Sequence, residues 1–281
     1  MNRRTTRRWL SGAMVGLMGL AVVAAVLPLL LILGTLIVKG ASSITPAFFL
    51  QLPGPIGESG GGVAHAIVGT LLMVGTACLI GLPVGIAAGI YAAEYPATRL
   101  AVVTRFVADV LNGTPSIVVG VFIWTWVVAT QKHFSGLAGS AALALLMIPM
   151  VMRTTEEMIK LVPDSLREAA LALGYPRWRT SLSIVVRTTL PGIVTGALLA
   201  VARIAGETAP LLFTALGSQF MNTDLARPMA ALPLAVFVYA TGPYAEWHRL
   251  AWATALVLIL TVLVLSLLAR LATRRRFDRR G

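Results

Sequence analysis

The stretch Ala-Arg-Ile-Ala-Gly-Glu-Thr-Ala-Pro-Leu-Leu, residues 202–212, sets two opposite charges into an otherwise apolar run, with Arg203 four residues before Glu207. A guanidinium is a planar fork of donors that can grip two oxygens of an oxyanion at once. If the run is helical, this spacing puts both side chains on one face, where they partly neutralise each other. Ala205 and Gly206 beside them would let a neighbouring helix come close. Three roles fit this chemistry. The pair is a buried bridge that fixes helix rotation; or Arg203 meets a passing oxyanion while Glu207 holds it when the path is empty; or the pair reaches charges on an adjoining subunit as a gate. The last two together are preferred, because a permanently closed bridge would leave an anion unassisted.

A second pattern is Asp164-Ser165-Leu166-Arg167-Glu168-Ala169-Ala170-Leu171-Ala172-Leu173-Gly174, followed by Pro176. Ser165 with Glu168 three residues later is a capping box and predicts a helix from Leu166. Gly174 suits the left-handed position after a helix end, and Pro176 discourages continuation. A helix of two turns is too short to hold itself together. Its small residues, Ala169, Ala170 and Ala172, suit it to lie in a groove on a partner. On the local physics alone, Glu168 as a mere cap and Gly174 as a mere stop remain equally open.

A third candidate group surrounds Pro115. Asp109 is expected about one turn into an apolar run that starts near residue 104, where a carboxylate favours the N-terminal helix dipole. Asn112 and Thr114 are expected to take up backbone groups freed by the proline kink, or to line a pathway. Other chemistry has little support. There is no G-x-x-x-x-G-K-[ST] phosphate loop, so the chain is not expected to hydrolyse nucleotide itself. His65, His133 and His248 lie in separate segments with no metal-ligand spacing, and Cys78 is the single cysteine. Neither a metal site nor an enzymatic active site is expected.

The elements that position these residues follow from composition. Of 281 residues 57% are hydrophobic and 12% charged, against about 25% charged in a soluble domain. With a mean hydropathy of +0.85 this predicts an all-α membrane protein. The net charge of +12 sits at the chain ends and in one internal loop rather than in a nucleic-acid patch. Nearly uncharged runs fall at about 10–38, 63–92, 104–130, 135–152, 189–216 and 250–269. Arg3, Arg4, Arg7 and Arg8 precede the first, which is longer than the roughly 7–15 residues of a signal core and is expected to be an uncleaved helix.

A seventh apolar run, 228–245, would turn the C-terminal arginines outward against the positive-inside rule. It also contains Pro228, Pro233 and Gly242-Pro243, so it is expected to be an external amphipathic or re-entrant piece. Six transmembrane helices with both termini cytoplasmic then leave only Lys39, Lys132, Arg227 and Arg249 outside. The expected organisation is a first helix and external connector over 1–62, a core over 63–270 with a cytoplasmic loop 153–188, and a basic tail 271–281. That tail is expected to meet anionic lipid headgroups.

Glu168-Ala169-Ala170, then Gly174 and Ile184, resembles the EAA loop of ABC-importer permeases. Gly206-Glu207-Thr208-Ala209-Pro210-Leu211-Leu212-Phe213-Thr214, Leu111-Asn112-Gly113-Thr114-Pro115-Ser116 and Ala66-Ile67-Val68-Gly69-Thr70 resemble the phosphate branch of that family, the PstA type. The resemblance implies a type I ABC-importer permease (MetI-like) bundle in the cytoplasmic (inner) membrane, translocating inorganic phosphate. It implies that Glu168, Ala169, Ala170 and Gly174 belong to the loop that docks on a cytoplasmic ATPase, and that Arg203 and Glu207 serve the substrate path. The implied partners are a second homologous permease subunit in a heterodimer, two ATPase subunits that bind ATP and Mg, an extracytoplasmic phosphate-binding protein and membrane lipid, but no nucleic acid. No cofactor is implied in this chain. Another oxyanion such as sulfate or molybdate, or a non-transporting scaffold or sensor, are the alternatives.

Overall fold

Peptide groups surrounded by lipid have no water to bond, so an apolar chain satisfies them within helices. The computed structural model, which describes residues 3–55 and 60–277, is built in this way. In chain order the helices are α1 (Arg3–Ala41), α2 (Pro46–Leu50), α3 (Ala64–Glu94), α4 (Arg99–Gly113), α5 (Ser116–Ile123), α6 (Ala129–Gln131) and α7 (Gly136–Lys160). They continue with α8 (Asp164–Ala172), α9 (Arg177–Thr180), α10 (Val186–Ile204), α11 (Ala209–Thr214), α12 (Leu232–Thr241) and α13 (Ala245–Phe277). A π turn over Trp124–Val128 joins α5 to α6, and another over Ser181–Val185 joins α9 to α10.

Among the described residues, five stretches are long and apolar enough to cross a bilayer unbroken: Trp9–Ala41, Ala64–Glu94, Gly136–Lys160, Arg177–Ile204 and Ala245–Leu267. The expected third span is long and apolar enough only as a pair, α4 with α5–α6, bent by 106°, which is the form of a broken span or a re-entrant loop. The break falls at Thr114-Pro115, because a proline pushes its predecessor into extended backbone and Thr114 has ψ 130°. The fifth span is displaced toward the N-terminus, beginning at Arg177 rather than near 189. It ends at Ile204 rather than near 216, and Pro210 stands in the first turn of a separate short helix, α11, where its missing N–H costs no intrahelical bond. The charged residues after 152 continue α7 to Lys160, so the connection expected over 153–188 shrinks to the residues between α7 and α9. α13 likewise runs through the expected boundary at 270, and Arg279 and Arg280 lie outside the described residues.

α12 has 10 residues, about 15 Å of helix against the roughly 30 Å of a hydrocarbon core. It packs on α3 and α13, and Leu232 N–H donates to the buried Thr70 hydroxyl at 2.8 Å. The run 228–245 is therefore packed on the bundle rather than spanning it. At the same end, Gly40 of α1 lies against Trp252 and Leu256 of α13, with Lys39 Nζ 5.0 Å above the Trp252 ring. The C-terminal end of α1 thus packs against the N-terminal part of α13.

The centre of the bundle is the α3–α7 contact. Gly81, Gly85 and Gly89 recur every four residues on α3. A methyl group added at Gly85 would lie 2.8 Å from Val151 Cβ, and one at Gly89 would lie 2.6 Å from the Met152 carbonyl. Small residues at this spacing let two membrane helices approach closely enough to hold by dispersion. Around the seam Met73, Ala77, Leu143, Met147 and Val151 form one core with Ala200 and Ile204 of α10 and Leu211 of α11. Gly85→Leu is expected to lower the melting temperature of the detergent-purified protein by several degrees, from overpacking on the order of 1–3 kcal/mol. Gly75→Leu, on a face of α3 with nothing within 4 Å of the glycine, is expected not to lower it.

Candidate functional site

Both helix breaks face the same space. Leu111, Asn112, Gly113, Thr114, Pro115 and Ser116 from the α4–α5 break, Leu146 and Met150 from α7, and Arg203, Ile204 and Glu207 from the end of α10 line a cavity of about 280 Å³. The two breaks are pressed together on one side, where a methyl group at Gly120 of α5 would lie 2.6 Å from Pro210 Cα of α11. The chain around Arg203 is a helix end. Gly206 N–H donates to the Arg203 carbonyl at 3.1 Å and Glu207 N–H to the Ile204 carbonyl at 3.2 Å, both tight turns.

This corrects the expectation for the charged pair. Arg203 and Glu207 do not lie on one face of a continuous helix, because Glu207 follows the last turn of α10. Their closest atoms, Arg203 Nε and Glu207 Oε1, stand 3.8 Å apart, an ion-pair contact too long for a hydrogen bond. The Arg203 side chain is 62% exposed and that of Glu207 18%, so the pair is not a buried bridge. Ala205 is buried, but Gly206 has room for a side chain and makes no close approach to another helix.

The cavity favours an anion on two further counts. The first turn of a helix leaves N–H groups without intrahelical acceptors and carries partial positive charge. The first turn of α5 starts at Ser116 in the cavity wall, and a phosphate-like group suits such a position. Thr114 behaves as expected of a residue that supports the kink: its hydroxyl donates to the Val110 carbonyl at 2.7 Å, while its own N–H turns to Leu111 at 3.2 Å. Asn112 is exposed in the wall.

Asp109 is elsewhere. It lies in the C-terminal half of α4, not at its start, because α4 begins at Arg99, so the dipole explanation fails. It pairs instead with Arg153 of α7. That contact belongs to a cluster the sequence reading missed. Glu156 of α7 is 1% exposed and is met by Arg105 Nε at 2.6 Å, Lys160 Nζ at 2.6 Å and Arg153 Nη1 at 3.3 Å. Arg105 also donates to the Ala92 and Pro96 carbonyls, closing the end of α3 onto α4. Arg153, Glu156 and Lys160 are spaced to share a helical face, a signal legible once α7 is known to reach that far. Glu156→Ala is expected to cost about 3 kcal/mol, the low end for a broken buried pair because Arg153 and Lys160 still reach water. Thermal unfolding of the purified protein measures it.

The residues of the short loop helix take separate positions. α8 begins at Asp164, with Pro163 in the N-cap position and no side-chain cap, so Ser165 and Glu168 do not form the expected capping box. A proline already sets the extended backbone that precedes a helix, and Asp164 then complements the dipole of the first turn. Gly174 is left-handed at φ +84°, as expected. Gly174 N–H donates to Leu171 and Tyr175 N–H to Ala170, the paired bonds that close a helix at glycine. Glu168 and Ala169 are exposed while Ala170 is buried against the bundle, and Leu166, Leu171, Leu173 and Trp178 leave apolar surface uncovered.

Comparison with known proteins follows this geometry closely. Residues 85–278 match the family described as binding-protein-dependent transport system inner membrane component. The chain is 55% identical over 243 residues to the phosphate transport system permease protein PstA of Yersinia pestis, covering 86% of this chain and 82% of the relative. It is 41% identical over 263 residues to phosphate transport system permease protein PstA 1 of Mycobacterium tuberculosis (strain ATCC 25618 / H37Rv), covering 90% and 85%. Its fold is similar to a chain of a bacterial alginate ABC transporter solved with a pentasaccharide-bound periplasmic protein, with TM-score 0.65 at 17% identity over 97% of this chain and 96% of that one. It is also similar to a chain of the inward-facing MetNI methionine ABC transporter, with TM-score 0.60 at 18% identity over 76% and 93%.

Proposed function

We infer that this chain, which belongs to the family of binding-protein-dependent transport system inner membrane components, is the permease subunit of an ATP-driven importer of inorganic phosphate. The observation that carries the reading is the cavity whose wall holds both an exposed arginine, Arg203, and the first turn of α5, between two broken helices. A tetrahedral oxyanion needs several donors around it, and a fork of guanidinium N–H groups with a helix N-terminus supplies them without a metal ion. Glu207, at 3.8 Å from Arg203, is close enough to restrain the guanidinium and too far to occupy it fully. The relatives at 41–55% identity are phosphate permeases, which favours phosphate over sulfate or molybdate.

The remaining parts fit an importer. α8, with its exposed Leu166 and Leu171, offers the surface on which an ATPase subunit docks, so Glu168, Ala169, Ala170 and Gly174 belong to the coupling segment. Both chain ends and α8 then face the cytoplasm, and α12 faces the side where a phosphate-binding protein delivers its cargo. The second permease is a homologous subunit, and two ATPase subunits carry ATP and Mg. Asn112 lines the cavity and Asp109 stands one turn before it on α4, paired with Arg153, so on this reading the two border the path.

Arg203→Ala in the assembled importer is expected to reduce phosphate uptake at least about tenfold, a loss of about 1.4 kcal/mol or more. Arg203→Lys is expected to recover only part, since a point charge lacks the fork. Uptake of labelled phosphate into proteoliposomes, with sulfate and molybdate as competitors, measures both. Wild-type uptake by an intact Arg203→Ala complex would remove Arg203 from the path, and preferential sulfate or molybdate uptake would replace phosphate as the substrate.

A further inference from the structure

We propose that Arg167 and Glu94 form the joint through which movement of α8 reaches the cavity, an inference that rests on α8 being the helix on which an ATPase docks. Glu94 is the last residue of α3, and its two carboxylate oxygens are divided between two other elements. Oε1 accepts from Arg167 Nη1 on α8, and Oε2 accepts from the Ser181 hydroxyl at 2.5 Å, in the π turn that leads into α10. The Arg167 guanidinium also donates through Nη2 to the Ile159 carbonyl in the last turn of α7 at 3.2 Å. Both partners are largely withdrawn from water, Arg167 at 22% and Glu94 at 13% exposed.

The rest of α8 is held loosely. Ala170 is its one buried residue. The Arg167 side chain is thus the chief polar attachment of α8 to the long helices, and it attaches to the two that form the glycine seam. A displacement of α8 has two ways onward from there. Through Glu94 and Ile159 it loads the ends of α3 and α7, and α7 carries Leu146 and Met150 in the cavity wall. Through Glu94 and Ser181 it loads the start of the α9–α10 stretch, which ends at Arg203. The α3–α7 seam admits no methyl group at Gly85 or Gly89, so it moves as a rigid pair and does not absorb the displacement. A carboxylate bonded on both oxygens by charged and hydroxyl donors is suited to transmit it, since such bonds are short and directional.

A residue that only fastened α8 would change how much complex assembles. A residue that transmits motion separates hydrolysis from movement in the complexes that do assemble. The test therefore uses the full importer in liposomes, in a Cys78→Ser background with Leu146→Cys as a reporter thiol in the cavity wall. With Arg167 present, vanadate trapping of nucleotide on the ATPases is expected to change the labelling rate of that thiol severalfold. Arg167→Gln is expected to abolish the change while assembled complexes still hydrolyse ATP. Exchanging the charges, Arg167→Glu with Glu94→Arg, is expected to restore at least half of it, which also decides the matter if Arg167→Gln alone does not assemble. An Arg167→Gln complex with the full nucleotide response, or an assembled exchange variant with none, overturns the proposal. The readout needs no phosphate. A wild-type complex that responds to nucleotide yet carries no phosphate overturns the substrate reading alone, and one that never responds overturns the joint and the docking of α8 together.

Discussion

In lipid, two helices gain nothing by hiding apolar side chains from water, so α3 and α7 hold together by how closely their backbones approach. Gly81, Gly85 and Gly89 set that distance, with Met147, Val151 and Met152 filling the opposite side. The seam is tight because a missing methyl on one helix is matched by a side chain or carbonyl on the other. It gives the bundle one rigid pair around which less regular elements are arranged. α10 and α11 contribute Ala200, Ile204 and Leu211 to the same core, and α4 closes on α7 through the buried Glu156.

A rigid pair makes helix breaks affordable elsewhere. Broken backbone at membrane depth needs other protein or a wet cavity to satisfy its free groups. Here the α4–α5 break and the end of α10 line one cavity. Thr114 back-bonds to the Val110 carbonyl, and the helix start at Ser116 shares the cavity wall with Arg203. The arrangement that tolerates the breaks is the same one that can receive an anion. The two prolines at the site, Pro115 and Pro210, sit at helix breaks, whereas Pro28, Pro83, Pro149 and Pro191 lie inside continuous helices.

Charge is handled differently at the end that carries α8. Glu156 and Glu94 are each bonded by more than one donor from other elements or turns, which ties α3, α4, α7, α8 and the start of the α9–α10 stretch into one block. Desolvated carboxylates are retained only where several donors surround them. At the cavity the same two residue types, an arginine and a glutamate, are left 3.8 Å apart and half open. The contrast between a fully bonded cluster and a loose pair distinguishes the α8 end of the molecule from the cavity.

The sequence by itself determined the membrane class, the number of apolar runs, the rejection of 228–245 as a span and the glycine stop at 174. These depend on length, hydropathy and local backbone preference, which need no knowledge of neighbours. It also marked Arg203, Glu207, Asn112 and Thr114, because charge and turn chemistry inside apolar runs stand out without a fold. It placed the first two wrongly on a continuous helix, since α10 ends at Ile204 inside the apolar run and hydropathy does not register such a break. Asp109 was given to a helix start because the start of an apolar run and the start of a helix were taken as one, and the charged turn Arg99–Arg105 lengthened α4 backward. Only the tertiary structure decided that residues near 112, 150 and 203 line one cavity, and that Glu156 and Glu94 are hubs. Those facts depend on which helices meet, and a contact between residues 94 and 167 leaves no period or motif along the chain.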